Sequence, residues 1–341
     1  MSPGREPRRQ QGLGGAPGVR DYSGSLMVML AHACSLKCAA CGVALGPKRM
    51  PWKTLARSVD LLLASDVRHL QLRYFGGEPL LEFGLIQKAV AYAEARGAEL
   101  GKRVHHMVVT NGLGLDERKL AWLKGRDVEF LFSLDGKAET HAKWRAAPSG
   151  QDVHPRLVAN LRRLQGSGLS YFVNMVAHPG DSREWISDLE FAAGLGVRRI
   201  QLGYEVGSAW SSGERSRFLE FLEAAARVCK ERGIELLNLK SGAEPVMLSD
   251  EVIVETDGGL YLDPAVFVER FFPGLKSVMR LGRLDTVSSL GEVRRTRAQV
   301  LELFRKRYPP STAKGRLFLD NLGLGLSVNR LLARLSSGAG A

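Results

Sequence analysis

The chain has 341 residues with 48 Lys or Arg against 36 Asp or Glu, a formal net charge of +12 and a pI near 9.7. Hydrophobic residues make up 45% and charged residues 25%, which excludes wholesale disorder and leaves length for one large α/β domain plus an appendage. No apolar run approaches the roughly 20 residues of a membrane span, no apolar stretch follows the first arginines as in a signal peptide, and the expectation is a cytoplasmic protein.

Residues 1–23 are rich in Gly, Pro, Arg and Gln, a composition that reads as a disordered basic arm. Apolar runs suited to buried parallel strands follow at Leu26–Leu30, His69–Phe75, Val104–Thr110, Val128–Leu134, Tyr171–Val176 and Arg199–Tyr204. Between them lie helix-period stretches at Thr54–Leu63, Leu85–Glu94, Asp116–Lys124, Pro155–Leu164 and Glu184–Ala193, and a long sixth at Glu214–Arg232. Six strands, each followed by a helix, describe a parallel βα array, flat or curled into a partial barrel. After a short apolar run at Ile234–Leu239 the pattern changes. Glu251–Thr256 and Leu260–Leu262 flank Asp257-Gly258-Gly259 as a β-hairpin. A basic helix is expected over Gly291–Arg307 and an amphipathic ending over Val328–Leu335. The division expected is an arm (1–23), a βα domain (24–240) and a C-terminal region (241–341).

Of four cysteines, three fall within eight residues, Cys34-Ser-Leu-Lys-Cys38-Ala-Ala-Cys41, just after the first predicted strand. A disulfide scaffold is cysteine-dense and spreads its pairs, so this trio points to metal instead. Three thiolates on one loop suit an iron–sulfur cluster, and in a four-iron cluster they leave one iron open. Zinc needs a fourth Cys or His, and His32, the neighbour available, sits awkwardly close.

The C-x3-C-x2-C loop after a first strand resembles the radical SAM superfamily, along residues 25–206. The resemblance implies a partial (β/α)6 barrel, one [4Fe–4S] cluster on Cys34, Cys38 and Cys41, S-adenosylmethionine (SAM) on the open iron, and an electron donor such as flavodoxin or ferredoxin. Tyr74-Phe-Gly-Gly-Glu-Pro79 is similar to the GGEP motif of that family, which implies that Gly76, Gly77 and Glu78 hold the methionyl amino group; the glycines permit close backbone approach to a ligand. Read without the cysteines, the same segment is a Gly-Pro turn. Thr110-Asn111-Gly112 and Ser133-Leu-Asp135-Gly136, with His141 and Arg145 downstream, end further predicted strands. This run resembles the branch of anaerobic sulfatase-maturing enzymes and peptide maturases with SPASM or twitch domains. There Ser133 is expected at the ribose or carboxylate of SAM and Arg145 at its carboxylate. Asn111, Asp135 and Asn174 are expected as polar contacts, against the ordinary reading of such residues as caps or turns. The family's aromatic residue before the third cysteine is Ala40 here, so adenine packing falls to another residue, with Tyr204 the candidate.

Val252–Leu262 resembles the hairpin that opens a SPASM or twitch domain, and Leu281–Asp285 its later segment. The region has no cysteine, which implies a small degenerate α+β appendage without auxiliary clusters; Asp263 falls where one cluster ligand is expected. Cys229, on the predicted long helix, is a small buried hydrophobe on the ordinary reading and a hydrogen donor to a product radical on the functional one. Residues 292–341 hold ten Lys or Arg against three Asp or Glu, a charge suited to an acidic leader peptide, nucleic acid or an anionic surface, or simply to solvent. No nucleic-acid signature accompanies it. The functional expectation is hydrogen abstraction from a peptide or protein substrate, with a small-metabolite radical SAM enzyme and a non-catalytic cluster-bearing scaffold as alternatives.

Overall fold

The computed structural model describes residues 24–241 and 246–338, so the expected basic arm of residues 1–23 lies outside the described residues. In chain order, β1 (Ser25–Ala31) leads to α1 (Trp52–Leu63), β2 (His69–Gly76) to α2 (Phe83–Leu100), and β3 (Arg103–Thr110) to α3 (Glu117–Leu123). Next, β4 (Val128–Ser133) is followed by two helices, α4 (Ala138–Trp144) and α5 (His154–Ser167). Then β5 (Ser170–Ala177) leads to α6 (Trp185–Gly194), and β6 (Arg199–Tyr204) to α7 (Ser212–Glu231) and the short β7 (Glu235–Leu236). These seven strands are parallel neighbours in sequence order. The six expected strands are all present, and the run at Ile234–Leu239 supplies the seventh.

β1 shows why a continuous apolar run becomes such a strand. Every one of its residues is buried, because both faces of the sheet are covered. Side chains alternate, so Leu26, Val28 and Leu30 pack toward the helices with Leu55 and Val59, while Met27 and Met29 pack on the opposite, inner face with Val43, Ile253 and Val266. Each such fully buried aliphatic side chain contributes roughly 1.5–3 kcal/mol.

The C-terminal segment continues the same sheet. β8 (Val252–Val254) pairs parallel to β1, with Met27 opposite Ile253, and β9 (Gly259–Leu262) returns antiparallel to β8. β10 (Arg280–Arg283) adds an outer antiparallel strand, so the ten-stranded order is β10-β9-β8-β1-β2-β3-β4-β5-β6-β7. The hairpin turn forms as its chemistry demands. Gly258 has φ +81, and Asp257 Oδ1 accepts the Gly259 amide at 2.9 Å.

Two helices differ from expectation. The basic stretch is split into Leu290–Val293 and Arg297–Arg307, because Thr296 caps a fresh start by exchanging hydrogen bonds with Gln299. The final helix runs Ala313–Gly338, far longer than the amphipathic ending expected. Its Leu331 and Leu332 are buried in the main core, so these leucines offer no apolar face to a membrane surface. Phe304 and Phe318 stack at 4.2 Å to join the last two helices in a second core. Among the described residues, no helix is long and apolar enough to cross a membrane.

Candidate functional site

Parallel strands deliver their C-terminal ends to one rim, where ligand sites of such folds gather. At this rim a cavity of about 280 Å³ is walled by Cys34, Cys38 and Cys41 after β1, Gly76 and Gly77 at the end of β2, and Asn111 after β3. Ser133 and Asp135 at β4, Arg145 after α4, and His178 and Tyr204 at the ends of β5 and β6 complete it.

The cysteine loop is clamped from three sides. Lys37 and Ala39 donate backbone hydrogen bonds to Ala146 and Trp144 at 2.8 and 2.9 Å. On the C-terminal side the Arg270 amide donates to Gly42 at 2.9 Å, and the approach is so close that a Cβ on Gly42 would stand 1.9 Å from the Phe267 carbonyl oxygen. His32 lies between Ala44 O and Glu255 Oε1, 2.7 Å from each, and Glu255 also accepts from Lys276.

None of the three cysteines is in a disulfide, and each is partly exposed to the cavity. Burial pushes the Cys34 thiol up to about 11, and it raises Cys38 despite the opposing pull of the Arg145 guanidinium. Thiolates here therefore call for a cationic partner, as an iron–sulfur core is. Among the described residues, no three His, Cys, Asp or Glu stand close enough together to hold one ion. The cysteine trio is spaced more widely than that. A cluster asks less of it, since each cysteine ligates its own iron, and the donor set fits that group.

The two glycines also have a reason within the chain itself. A Cβ on Gly76 would stand 2.4 Å from Ala31 O, and one on Gly77 would stand 2.3 Å from Ala33 O. The Gly77 and Glu78 amides instead donate to Ala31 and Ala33 at 2.8 and 2.9 Å. The pair lets β2 approach the root of the cysteine loop; Gly76 and Gly77 also reach the cavity wall. Glu78 is 1% exposed. Its carboxylate accepts from the Leu80 amide, the Thr110 hydroxyl and the Asn111 amide at 3.0, 2.7 and 2.8 Å. Burial raises its pKa against those three donors. It ties β2 to β3 beneath the cavity rather than lining it.

Asn111 reaches the cysteines directly: its Nδ2 donates to Ser35 Oγ at 3.1 Å and lies 3.7 Å from Cys34 Sγ. Asp135 is 3% exposed and accepts from Arg145 Nε and Nη2 at 2.6 and 3.1 Å and from the Val176 amide at 3.1 Å. Burial would raise this carboxyl, but Arg145 and His178 hold it well below the usual range. His178 lies 3.7 Å from Asp135 and 2.8 Å from Glu205, and its ring stacks on Trp144 at 3.9 Å. Arg145 uses only part of its fork on Asp135, leaving donors at the cavity wall. His178 and Glu205 were absent from the sequence reading. Their signal is position alone, each immediately following a strand.

The remaining expected residues divide. Tyr204 lines the cavity, and its hydroxyl donates to Asn321 O at 3.3 Å. His141 is buried, donates its backbone amide to Lys137 O, and lies with Nδ1 3.4 Å from the Asp135 amide. Asn174 lines a second, inner cavity instead, with Asp263. Cys229 is 1% exposed in apolar packing beneath α7 and lines neither cavity; burial pushes its thiol up to about 11.

Residues 28–193 match the family model of the radical SAM superfamily. This segment belongs to the radical SAM superfamily. Beyond the match, the chain is 26% identical over 215 residues to the PqqA peptide cyclase of Ruegeria pomeroyi, covering 61% of this chain and 54% of that protein. It is 35% identical over 116 residues to a GTP 3′,8-cyclase of Corynebacterium glutamicum, covering 32% of this chain and 30% of that one. The chain thus spans about half or less of the length of these curated relatives. A solved structure of anSMEcpe with bound AdoMet and the Kp18Cys peptide superposes with a TM-score of 0.68 at 16% identity, over 86% of this chain and 82% of that one. At that identity the likeness shows a shared fold over most of the chain.

Proposed function

We propose that this chain is a radical SAM enzyme that binds one [4Fe–4S] cluster through Cys34, Cys38 and Cys41 and acts on a peptide or protein substrate in the cytoplasm. The carrying observation is the convergence of the three free cysteines with Gly76, Gly77, Asn111, Ser133 and Arg145 on one cavity. Bound there, the cluster and SAM would supply one-electron reductive chemistry for hydrogen abstraction.

The chain's own residues account for the rest. Arg145, oriented by Asp135, presents its remaining N–H donors toward a carboxylate. Ser133 offers a hydroxyl at the end of β4, and Asn111 positions an amide against the Cys34 sulfur. Phe75, Phe267 and Phe271 give the cavity apolar walls that exclude water. The peptide substrate rests on the PqqA peptide cyclase relatives. A second reading, a small-metabolite substrate, has its support in the GTP 3′,8-cyclase match.

The test is anaerobic reconstitution, reduction and assay of SAM cleavage. The reading predicts 5′-deoxyadenosine from the wild type and none from Cys34→Ala. Deuterium passing into 5′-deoxyadenosine from a labelled precursor peptide encoded beside the gene supports the first substrate reading, and passage from labelled GTP the second.

A further inference from the structure

The inner cavity, about 310 Å³, shares Phe75, Val109, Tyr204, Val246 and Phe267 with the rim cavity. Its walls include Met27, Arg73, Leu131, Asn174 and Gln201, which stand earlier in the strands than the rim residues, so it lies deeper in the fold. Phe75 and Phe267 meet edge to face at 4.5 Å and form an apolar neck between the two spaces. Below the neck the chemistry turns polar: Arg73 from β2, Asn174 from β5, Gln201 from β6, and Glu251 and Asp263 from either side of the C-terminal hairpin.

These groups are unequal in charge and in satisfaction. Glu251 is ion-paired with Arg73 and accepts from Ser25 Oγ at 2.6 Å. Asp263 is 4% exposed; its Oδ2 accepts from Ser249 Oγ at 3.0 Å, while Oδ1 has no hydrogen-bond partner among the described residues. Two carboxyl groups therefore face one guanidinium, and that guanidinium is already bound to Glu251. Burial, reinforced by the neighbouring Glu251 charge, raises the Asp263 pKa well above the usual range although Arg73 opposes it. An anion entering here meets an excess of acidic groups. An apolar group leaves Oδ1 unsatisfied, which opposes its binding. A cationic donor occupies Oδ1 and draws Asp263 into its charged form, displacing the proton that burial otherwise keeps on it.

We propose that the inner cavity is a substrate subsite for a primary ammonium group on a flexible apolar stem, with Asp263 as its ion-pair partner and the Asn174 and Gln201 amide oxygens as further acceptors. Such a side group lays its methylenes along the Phe75–Phe267 neck and its charged head in the polar chamber. The inference rests on the reading of the rim cavity as the SAM site, because it places the stem of the side group beside that site.

The experiment is equilibrium dialysis of the full reconstituted chain with SAM, using N-acetyl-lysine N-methylamide and its norleucine counterpart, which differs by lacking the charge. The lysine probe should bind at least about tenfold more tightly in the wild type. Asp263→Asn should reduce that preference to about twofold, and Gln201→Leu should weaken it several-fold with Asp263 intact. Equal binding of the two probes overturns the proposal, as does absence of lysine-probe binding at about 10 mM, or an Asp263→Asn protein that melts like the wild type and keeps the preference. SAM cleavage without probe, assayed on the same preparation, reports separately on the rim cavity.

Discussion

Asp135→Asn removes the charge that holds Arg145 in place. The carboxylate is 3% exposed, and the Arg145 side chain is 16% exposed, so little solvent screens the pair. Taking one partner from a buried ion pair costs about 3–5 kcal/mol. The Asn oxygen keeps one acceptor, which sets the expectation at the lower end, about 3 kcal/mol. In a thermal melt at pH 7 that is roughly 6 °C, at about 2 °C per kcal/mol for a domain of this size. The gap also has a defined pH dependence. Asp135 is held below its unfolded value, near 3.9, so its contribution is fully present above that pH and is lost as pH falls toward the folded value. The difference between wild type and variant should be full at pH 7 and narrow progressively below about pH 4. Melts and denaturant titrations of both proteins across this range measure it. A gap under about 1 kcal/mol at pH 7, or one that stays constant to the acid limit, refutes the claim that this pair braces Arg145.

Three further outcomes follow from single positions. Gly77→Ala puts a Cβ 2.3 Å from the Ala33 carbonyl oxygen and 2.8 Å from that of His32; because both obstacles are backbone, it should cost about 1–3 kcal/mol and lower iron content on reconstitution. Burial lowers His106 to about 3, so the unfolded chain takes its proton near 6.5 and the folded chain does not. Stability is then lost as pH falls from about 6.5 toward 3, by up to about 1.4 kcal/mol per pH unit. His106→Gln, which keeps a partner for the Tyr74 hydroxyl, should flatten that slope in pH-dependent melts. Cys229→Ala should lose about 1 kcal/mol of stability and leave the yield of 5′-deoxyadenosine unchanged; a lost yield in a folded variant restores the thiol as a participant.

The strands were legible because buried parallel strands are continuous apolar runs, as β1 is. The C-terminal hairpin was legible because Asp-Gly-Gly admits few conformations. Where β8 would pair was not, since nothing in Val252–Val254 specifies β1 as its neighbour; that contact is 226 residues long-range at Ser25 and Glu251. The break at Arg294–Thr296 was written in the Thr296–Gln299 capping pair, but the basic run around it reads as one helix. At the site, the motif residues were legible through resemblance, and their physical roles only in part. Glu78 is a brace between strands because three buried donors converge on it. His178 and Glu205 carry no motif, and only strand order brings them to Asp135. Asp263 was legible as an oddity of position, whereas its unsatisfied oxygen is a property of packing.

The central claim is a cluster held by three cysteines of one loop. Iron and acid-labile sulfide should be measured after anaerobic reconstitution of the wild type and of Cys34→Ala, Cys38→Ala and Cys41→Ala, with the electron paramagnetic resonance spectrum of each reduced protein. The account predicts about four irons per wild-type chain, a spectrum that changes when SAM is added, and loss of both in every variant. A wild type that binds no iron, or a full cluster retained in all three variants, contradicts it.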